Sequence, residues 1–234
     1  MASKHYDISY LQNTRRLLGA LKEHSYTFFK EIKTGMIVDL GCGAGIDALE
    51  LAKLAGKDVE VIGLDHDPRM IDQAQDIADQ IENVKFFVSE AHQLPFDSNS
   101  IAGLRTERVI QHLHTPETVV REMHRVLKPD SPLVIVETDW FSLTFYTQFV
   151  DVQKKITSYL TDVKVNNGYA ARKLTSYLEE SHFSRIHLEI HPFVIRSLSD
   201  ANEYFWIGKI VNEAFDKGYI TLSEQENFLN RFSR

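Results

Sequence analysis

The run with the clearest chemical potential is Asp39-Leu40-Gly41-Cys42-Gly43-Ala44-Gly45. Glycines at alternate positions let the backbone turn tightly and let a ligand approach without a Cβ in the way. Where a helix begins, such a loop offers backbone N–H groups and the positive end of a helix dipole to a nucleotide-like or carboxylate-bearing ligand. The spacing is Gly-x-Gly-x-Gly, whereas the dinucleotide fingerprint is Gly-x-Gly-x-x-Gly, so the loop points away from a pyrophosphate cofactor. Asp65 is the second candidate. It closes the apolar run 59–64, and an acidic side chain there accepts hydrogen bonds from both vicinal hydroxyls of a ribose. The plainer alternative is a surface carboxylate beside the helix that Pro68 opens. His66 and Asp67 then read as loop residues, and Met70 lines either a base pocket or the core.

Proton-transfer candidates gather in two later stretches. Glu107, Arg108, Gln111, His112 and His114 form the first, with His112 foremost; Asp139 and Trp140 form the second. A histidine near its ordinary pKa can take a proton at neutral pH. With 10 histidines in the chain, a histidine that merely satisfies a helix end is the competing reading. Asp139-Trp140 ends an apolar run, where open α/β sheets hold ligands; a packing role is the alternative. The single cysteine, Cys42, rules out an intramolecular disulfide and a multi-thiolate metal cluster. No His-Glu-x-x-His or Walker-type loop is present, and no metal is expected.

The elements that must position these residues follow from periodicity. Short apolar runs at 36–40, 59–64, 84–88, 101–104 and 133–136 read as strands. Between them, 46–55, 69–81 and 115–127 carry apolar residues at helical spacing, with Gly56 as a stop, Pro68 at a first helical position and Thr115 as an N-cap. Strands alternating with helices imply βαβ units, a parallel sheet and helices on both faces. Leu11, Leu17, Leu18, Leu21, Phe28 and Phe29 mark helix before the first strand, where Tyr6, Tyr10 and Arg15 belong either to a lid or to a plain amphipathic surface. Helices are expected at 141–160, 174–180, 200–214 and 223–232, and a strand at 185–195. The aromatic residues of 140–149 either roof an apolar acceptor or fill a core.

Composition narrows the classes. Hydrophobic residues at 43% and charged residues at 25% are those of a globular protein, and 234 residues suit one α/β domain with a helical annex. The formal charge of −7 is the wrong sign for gripping a phosphate backbone, so nucleic acid is not the expected partner. No apolar run is long enough to span a membrane. The polar start Met1-Ala2-Ser3-Lys4-His5-Tyr6-Asp7 lacks an apolar signal core; cytoplasmic residence is the expectation, and the oligomeric state stays open.

The ordered motifs carry a family resemblance. Ile37-Val38-Asp39-Leu40-Gly41-Cys42-Gly43-Ala44-Gly45 resembles motif I of class I S-adenosylmethionine-dependent methyltransferases, and Gly63-Leu64-Asp65 their second motif. Ser89-Glu90-Ala91-His92-Gln93-Leu94-Pro95-Phe96 resembles their adenine-binding stretch. Glu122-Met123-His124-Arg125-Val126-Leu127-Lys128-Pro129 resembles the helix and turn before their fifth strand. The likeness covers about residues 36–140 and is nearest the type 11, ubiquinone/menaquinone methyltransferase-like kind. It implies a Rossmann-like, doubly wound, mostly parallel sheet, S-adenosylmethionine as cofactor and a small-molecule methyl acceptor. It also implies one domain over 1–234, with a helical lid at 1–34, a cofactor core at 35–140 and substrate-side helices at 141–234.

The resemblance also implies roles. Gly41, Cys42 and Gly43 meet the methionine portion; Asp39 orients that loop and the amino group through water; Asp65 holds the ribose, near His66 and Met70. Glu90 accepts from the adenine amino group, the Ala91 amide meets a ring nitrogen, and backbone carbonyls of Arg105 and Thr106 face the methionine amine. Three departures stand out: Glu90 where the family has Asp, Asp130-Ser131 where it has two glycines, and a single strand-like stretch where it ends in a hairpin. The last leaves three expectations open: a final antiparallel strand that is missing, one that is displaced, or a chain shortened at its C-terminal end. Arg105-Thr106-Glu107-Arg108 differs from the Asn/Asp-Pro-Pro-Tyr/Phe signature of enzymes acting on base amino groups. Two other readings remain open, a nicotinamide-dependent oxidoreductase and a binding module without turnover.

Overall fold

Each apolar run becomes a strand because its neighbours supply both hydrogen bonds and cover. In a computed structural model that describes residues 8–78 and 81–231, the first two βα units are β1 (Gly35–Leu40), α2 (Ile46–Ala55), β2 (Val59–Asp65) and α3 (Pro68–Ile77). They follow a long helix, α1 (Ile8–Thr27), and lead to β3 (Val84–Val88), β4 (Gly103–Glu107), α4 (Pro116–Val126) and β5 (Leu133–Val136). The five strands form one wholly parallel sheet in the order β3-β2-β1-β4-β5. The three central strands are nearly all buried, and both edge strands are half open. That gradient is what parallel pairing under helical cover produces.

Local signals act as expected at several ends. Gly56 stops α2 and Pro68 opens α3, but Asp67 is no idle loop residue: its carboxylate caps α3 by accepting the Arg69 amide. Thr115 does precede α4, yet its hydroxyl makes no cap bond; it meets His92 Nε2 at 2.9 Å instead. The expected fourth strand at 101–104 begins late. Ile101 makes only an isolated bridge to Leu127, and the strand runs on through Arg105, Thr106 and Glu107, where two charged residues replace the apolar run expected of a buried parallel strand. Buried ion partners, described below, are what keep them there.

The contacts divide the chain into two compact units. One contains the sheet (20–138 and 171–187), including most of α6 (Ala170–Glu180). Its core packs Phe29, Ile37, Leu51, Val61, Ala74 and Phe86 between sheet and helices. The other holds the described residues of 1–19, 139–170 and 188–234, built on α5 (Val150–Tyr159), α7 (Leu198–Phe205), α8 (Ile207–Asp216) and α9 (Leu222–Arg231). Its core joins Val152, Ile156, Ile210, Val211 and Phe228. The expected helix at 141–160 is only half formed, with α5 starting at Val150 after a single 3₁₀ turn, Trp140–Ser142. The expected helix at 200–214 is split by Trp206, which adopts a left-handed backbone between α7 and α8.

The expected strand at 185–195 is corrected. Among the described residues it forms no strand, and Leu188, Ile190 and Val194 are exposed. Alternation gives a segment a strand-like face, but a strand exists only through a neighbour's hydrogen bonds. The sheet thus carries no antiparallel strand among the described residues. No helix of the described residues is long and apolar enough to cross a membrane. Tyr6 lies outside the described residues, as do the side chains of Tyr10 and Arg15.

Candidate functional site

The strand order reverses between β1 and β4, and open α/β sheets bind ligands in the crevice at the carboxyl ends of the strands beside such a reversal. The glycine loop leaves β1 at this point. Gly41 and Gly45 sit at φ +74° and +80°, and a Cβ on Gly41 would stand 2.2 Å from Val109 Cγ2. The loop is held to β2 by the amides of Gly41 and Cys42, which both donate to Leu64 O. The Cys42 side chain is buried in the sheet core near Gly63 and Phe86, and burial pushes its thiol up.

Asp65 locks the loop from the end of β2. Its Oδ2 accepts the Gly43 amide and its Oδ1 the Asp67 amide, each at 2.9 Å. A carboxylate offers about four acceptor positions, so one remains on Oδ2, while the second on Oδ1 faces His66. His66 is exposed with Nδ1 at 3.2 Å from Asp65 Oδ1, and Met70 is half-buried in the first turn of α3.

Glu90 and Ala91 lie just past β3, the first exposed and the second half-buried. The loop they open is anchored by α4. Glu122 accepts the Leu94 amide at 2.8 Å, while Arg125 donates to the carbonyls of Leu94 and Phe96 and pairs with Glu122. Two stretches far apart in sequence are therefore one structural device.

Beneath the loop lies an ion network that sequence reasoning did not find. Parallel pairing sets Asp39 of β1 beside Arg105 of β4. The Arg105 guanidinium, buried beneath the sheet's helices, reaches Asp39 Oδ1 at 3.3 Å, Asp47 at 3.5 Å, Glu107 at 2.5 Å and the Ser25 hydroxyl at 3.0 Å. It also lies 5.1 Å from the Tyr26 ring centroid. Lys22 joins Asp47 at 2.6 Å and Glu107 at 2.8 Å, and Tyr26 donates its hydroxyl to Asp47. Burial pushes the Asp39 carboxyl up to about 7 despite Arg105, with Asp47 and Glu107 competing for the same cation. Burial also acts on Asp47 and Glu107, but Arg105 and Lys22 outweigh it and hold both below the ordinary carboxylate range, Asp47 at about 2. Glu107 is thereby committed to the network rather than free to serve as a base. One signal was readable: Arg105 and Glu107 are two apart on a strand and so share a face. Lys22 and Asp47 could only be added by tertiary structure. Thr106, the residue between, donates its hydroxyl to Leu40 O at 2.9 Å.

After β4 the chain turns through Arg108, at φ +54°, into a 3₁₀ turn, Ile110–His112. Gln111 is buried, His112 half-buried and His114 exposed. A half-buried carboxylate unnoticed in the sequence, Glu137, accepts the Gln111 amide at 3.0 Å. Asp139 begins the other unit, where its carboxylate accepts the Ser142 hydroxyl. Trp140 packs edge-on to Phe205, and Phe145 to Phe228, so these aromatics belong to that unit's core.

Comparison with known proteins agrees with this geometry. The family described as a methyltransferase domain matches residues 32–184. A 37.1 kDa protein in transposon TN4556 of Streptomyces fradiae is 31% identical, over 84% of this chain and 57% of its own length. The demethylmenaquinone methyltransferase of Staphylococcus aureus is 30% identical, over 50% of this chain and 49% of its own. The chain thus spans about half the length of these curated relatives. A crystal structure of a SAM-dependent methyltransferase from Aquifex aeolicus shares the fold, with a TM-score of 0.54, 20% identity, and coverage of 76% of this chain and 89% of that one. The chain belongs to the methyltransferase domain family, and its sheet has the fold of class I methyltransferases.

Proposed function

We propose that this chain binds S-adenosylmethionine at the carboxyl ends of β1 and β2 and moves its methyl group to an oxygen, nitrogen or carbon of a small molecule. The observation that carries the reading is Asp65, tied to the Gly43 amide while keeping acceptor capacity on Oδ2, with exposed His66 beside Oδ1. A second observation fits the same ligand: Asp39 Oδ2 is buried and meets no donor among the described residues. A water linked to an aminoacyl ammonium would complete it, as buried polar atoms require.

In this reading Asp65 holds the ribose, and the Gly41-Cys42-Gly43 backbone faces the methionine portion. Glu90 and the Ala91 amide take the adenine edge, with His66 and Met70 beside it, and the carbonyls of Arg105 and Thr106 face the amine. When bound, the cofactor supplies an electrophilic methyl on a sulfonium, so positioning and a water-poor site provide most of the acceleration. His112 is the first choice for removing an acceptor proton and Asp139 the second, each needed only where the acceptor must lose one. The acidic net charge and the partial likeness to demethylmenaquinone methyltransferase favour a small, apolar, hydroxylated acceptor.

The test is release of S-adenosylhomocysteine from S-adenosylmethionine with a 1,4-naphthohydroquinone, a catechol and a primary amine, read by mass spectrometry. Methylated product with the hydroquinone or catechol is expected. Tight cofactor binding with no product from any of the three would leave a binding module in place of an enzyme.

A further inference from the structure

Glu137 stands one residue past β5, at the same end of the sheet as the glycine loop, and has no task in the reading above. It is half-buried, and taking a carboxylate even partly out of water is costly unless its oxygens are satisfied. Both are: Oε1 accepts the Thr138 amide at 2.8 Å and Oε2 the Gln111 amide at 3.0 Å. The second bond spans 26 residues of chain and joins the end of β5 to the middle of the turn that carries His112.

That turn needs holding. It is a single 3₁₀ turn, closed by the His112 amide on Val109 O and the Leu113 amide on Ile110 O. The residue that leads into it, Arg108, has a left-handed backbone, which a non-glycine residue keeps only where its surroundings hold it there. Three contacts do so: the Arg108 amide on Val136 O, the Gln111 side-chain amide on Arg108 O, and the Glu137 clasp. Two of the three come from the end of β5. Burial pushes the Glu137 carboxyl up to about 7; the Thr138 and Gln111 amides and the Arg108 guanidinium pull it down, and Glu107 adds to the rise.

We propose that Glu137 is a positioning residue of the methyl-transfer site, its carboxylate clasping the His112 turn to the end of β5; this rests on the methyltransferase reading above. The turn is then a fixed wall of the crevice rather than a free loop.

The full chain, as wild type, Glu137→Gln and Glu137→Asp, is to be followed by amide NMR and hydrogen exchange, with S-adenosylhomocysteine as the probe ligand. Glutamine keeps the size but offers an acceptor to only one of the two amides. In the wild type the Gln111 and Thr138 amide signals should titrate together with a midpoint near 7, and the ligand should shift those of Gln111 and His112. In Glu137→Gln the titration should vanish and exchange protection of 111–113 should fall about tenfold or more, with overall fold protection kept. Aspartate, one methylene short, should keep the Thr138 titration and lose that of Gln111. The proposal is overturned by a Gln111 amide that neither titrates nor loses protection, by a ligand that leaves the turn unshifted, or by protection lost equally across the whole unit. A wild type that binds no S-adenosylhomocysteine overturns the methyltransferase reading itself, a result separable from failure of the clasp.

Discussion

Asp65 gives one acceptor position on each oxygen to its own backbone and keeps the other on Oδ2 for a ligand, while Arg105 spends its whole guanidinium inside the protein. The two residues predict different losses. Gly41→Ala sets a Cβ against Val109 at a left-handed backbone position; it should cost about 1–3 kcal/mol of stability, measured as a shifted urea midpoint. Arg105→Met strips Asp39 of its ion partner and leaves Asp47 and Glu107 to Lys22, with Arg108 beside Glu107. Removing one partner from a buried ion pair typically costs about 3–5 kcal/mol, so this variant should be among the least stable in the sheet unit. Asp65 and the glycine loop were legible because a single strand–loop–helix unit defines them. The Arg105 network was not, since Lys22, Asp39, Asp47 and Glu107 come from four elements that only the fold brings together.

The element with the clearest job is α4. Its Glu122 and Arg125 seize the backbone at Leu94 and Phe96, so the helix holds the loop that starts at Glu90. Arg125→Ala should weaken S-adenosylhomocysteine binding by about three- to tenfold while lowering stability by about 1 kcal/mol, the usual worth of such bonds; calorimetry and urea unfolding read the two effects separately. A loss of stability with unchanged affinity would show that the loop needs no anchor. Most elements of this half could be read from periodicity, because a buried parallel strand is a run of apolar residues and its helix keeps one apolar face. β4 was placed at 101–104 and so ended too early, as the charged residues that continue it to Glu107 depend on distant partners. The 185–195 stretch misled for the opposite reason, having the alternation of a strand without a neighbour to pair with.

Across the whole molecule the buried carboxylates set a pH dependence. Asp39 and Glu137 have folded-state values near 7, above their ordinary 3.8 and 4.5. Such groups add stability that is fully present below the ordinary values and lost as pH rises through about 7. Asp47, lowered to about 2, works the other way, adding stability that is lost as pH falls through its folded-state value. Unfolding free energy should therefore decline from about pH 4 to about pH 7, and Glu137→Gln should flatten the decline; a flat wild-type profile would contradict the raised values of these groups. The central claim is the cofactor site, and calorimetry of S-adenosylmethionine and S-adenosylhomocysteine on wild type and Asp65→Ala tests it most directly. Binding in the micromolar range that weakens by about a hundredfold in the variant, as loss of hydrogen bonding to a charged group implies, is the predicted result. A folded wild type that binds neither ligand would contradict the account.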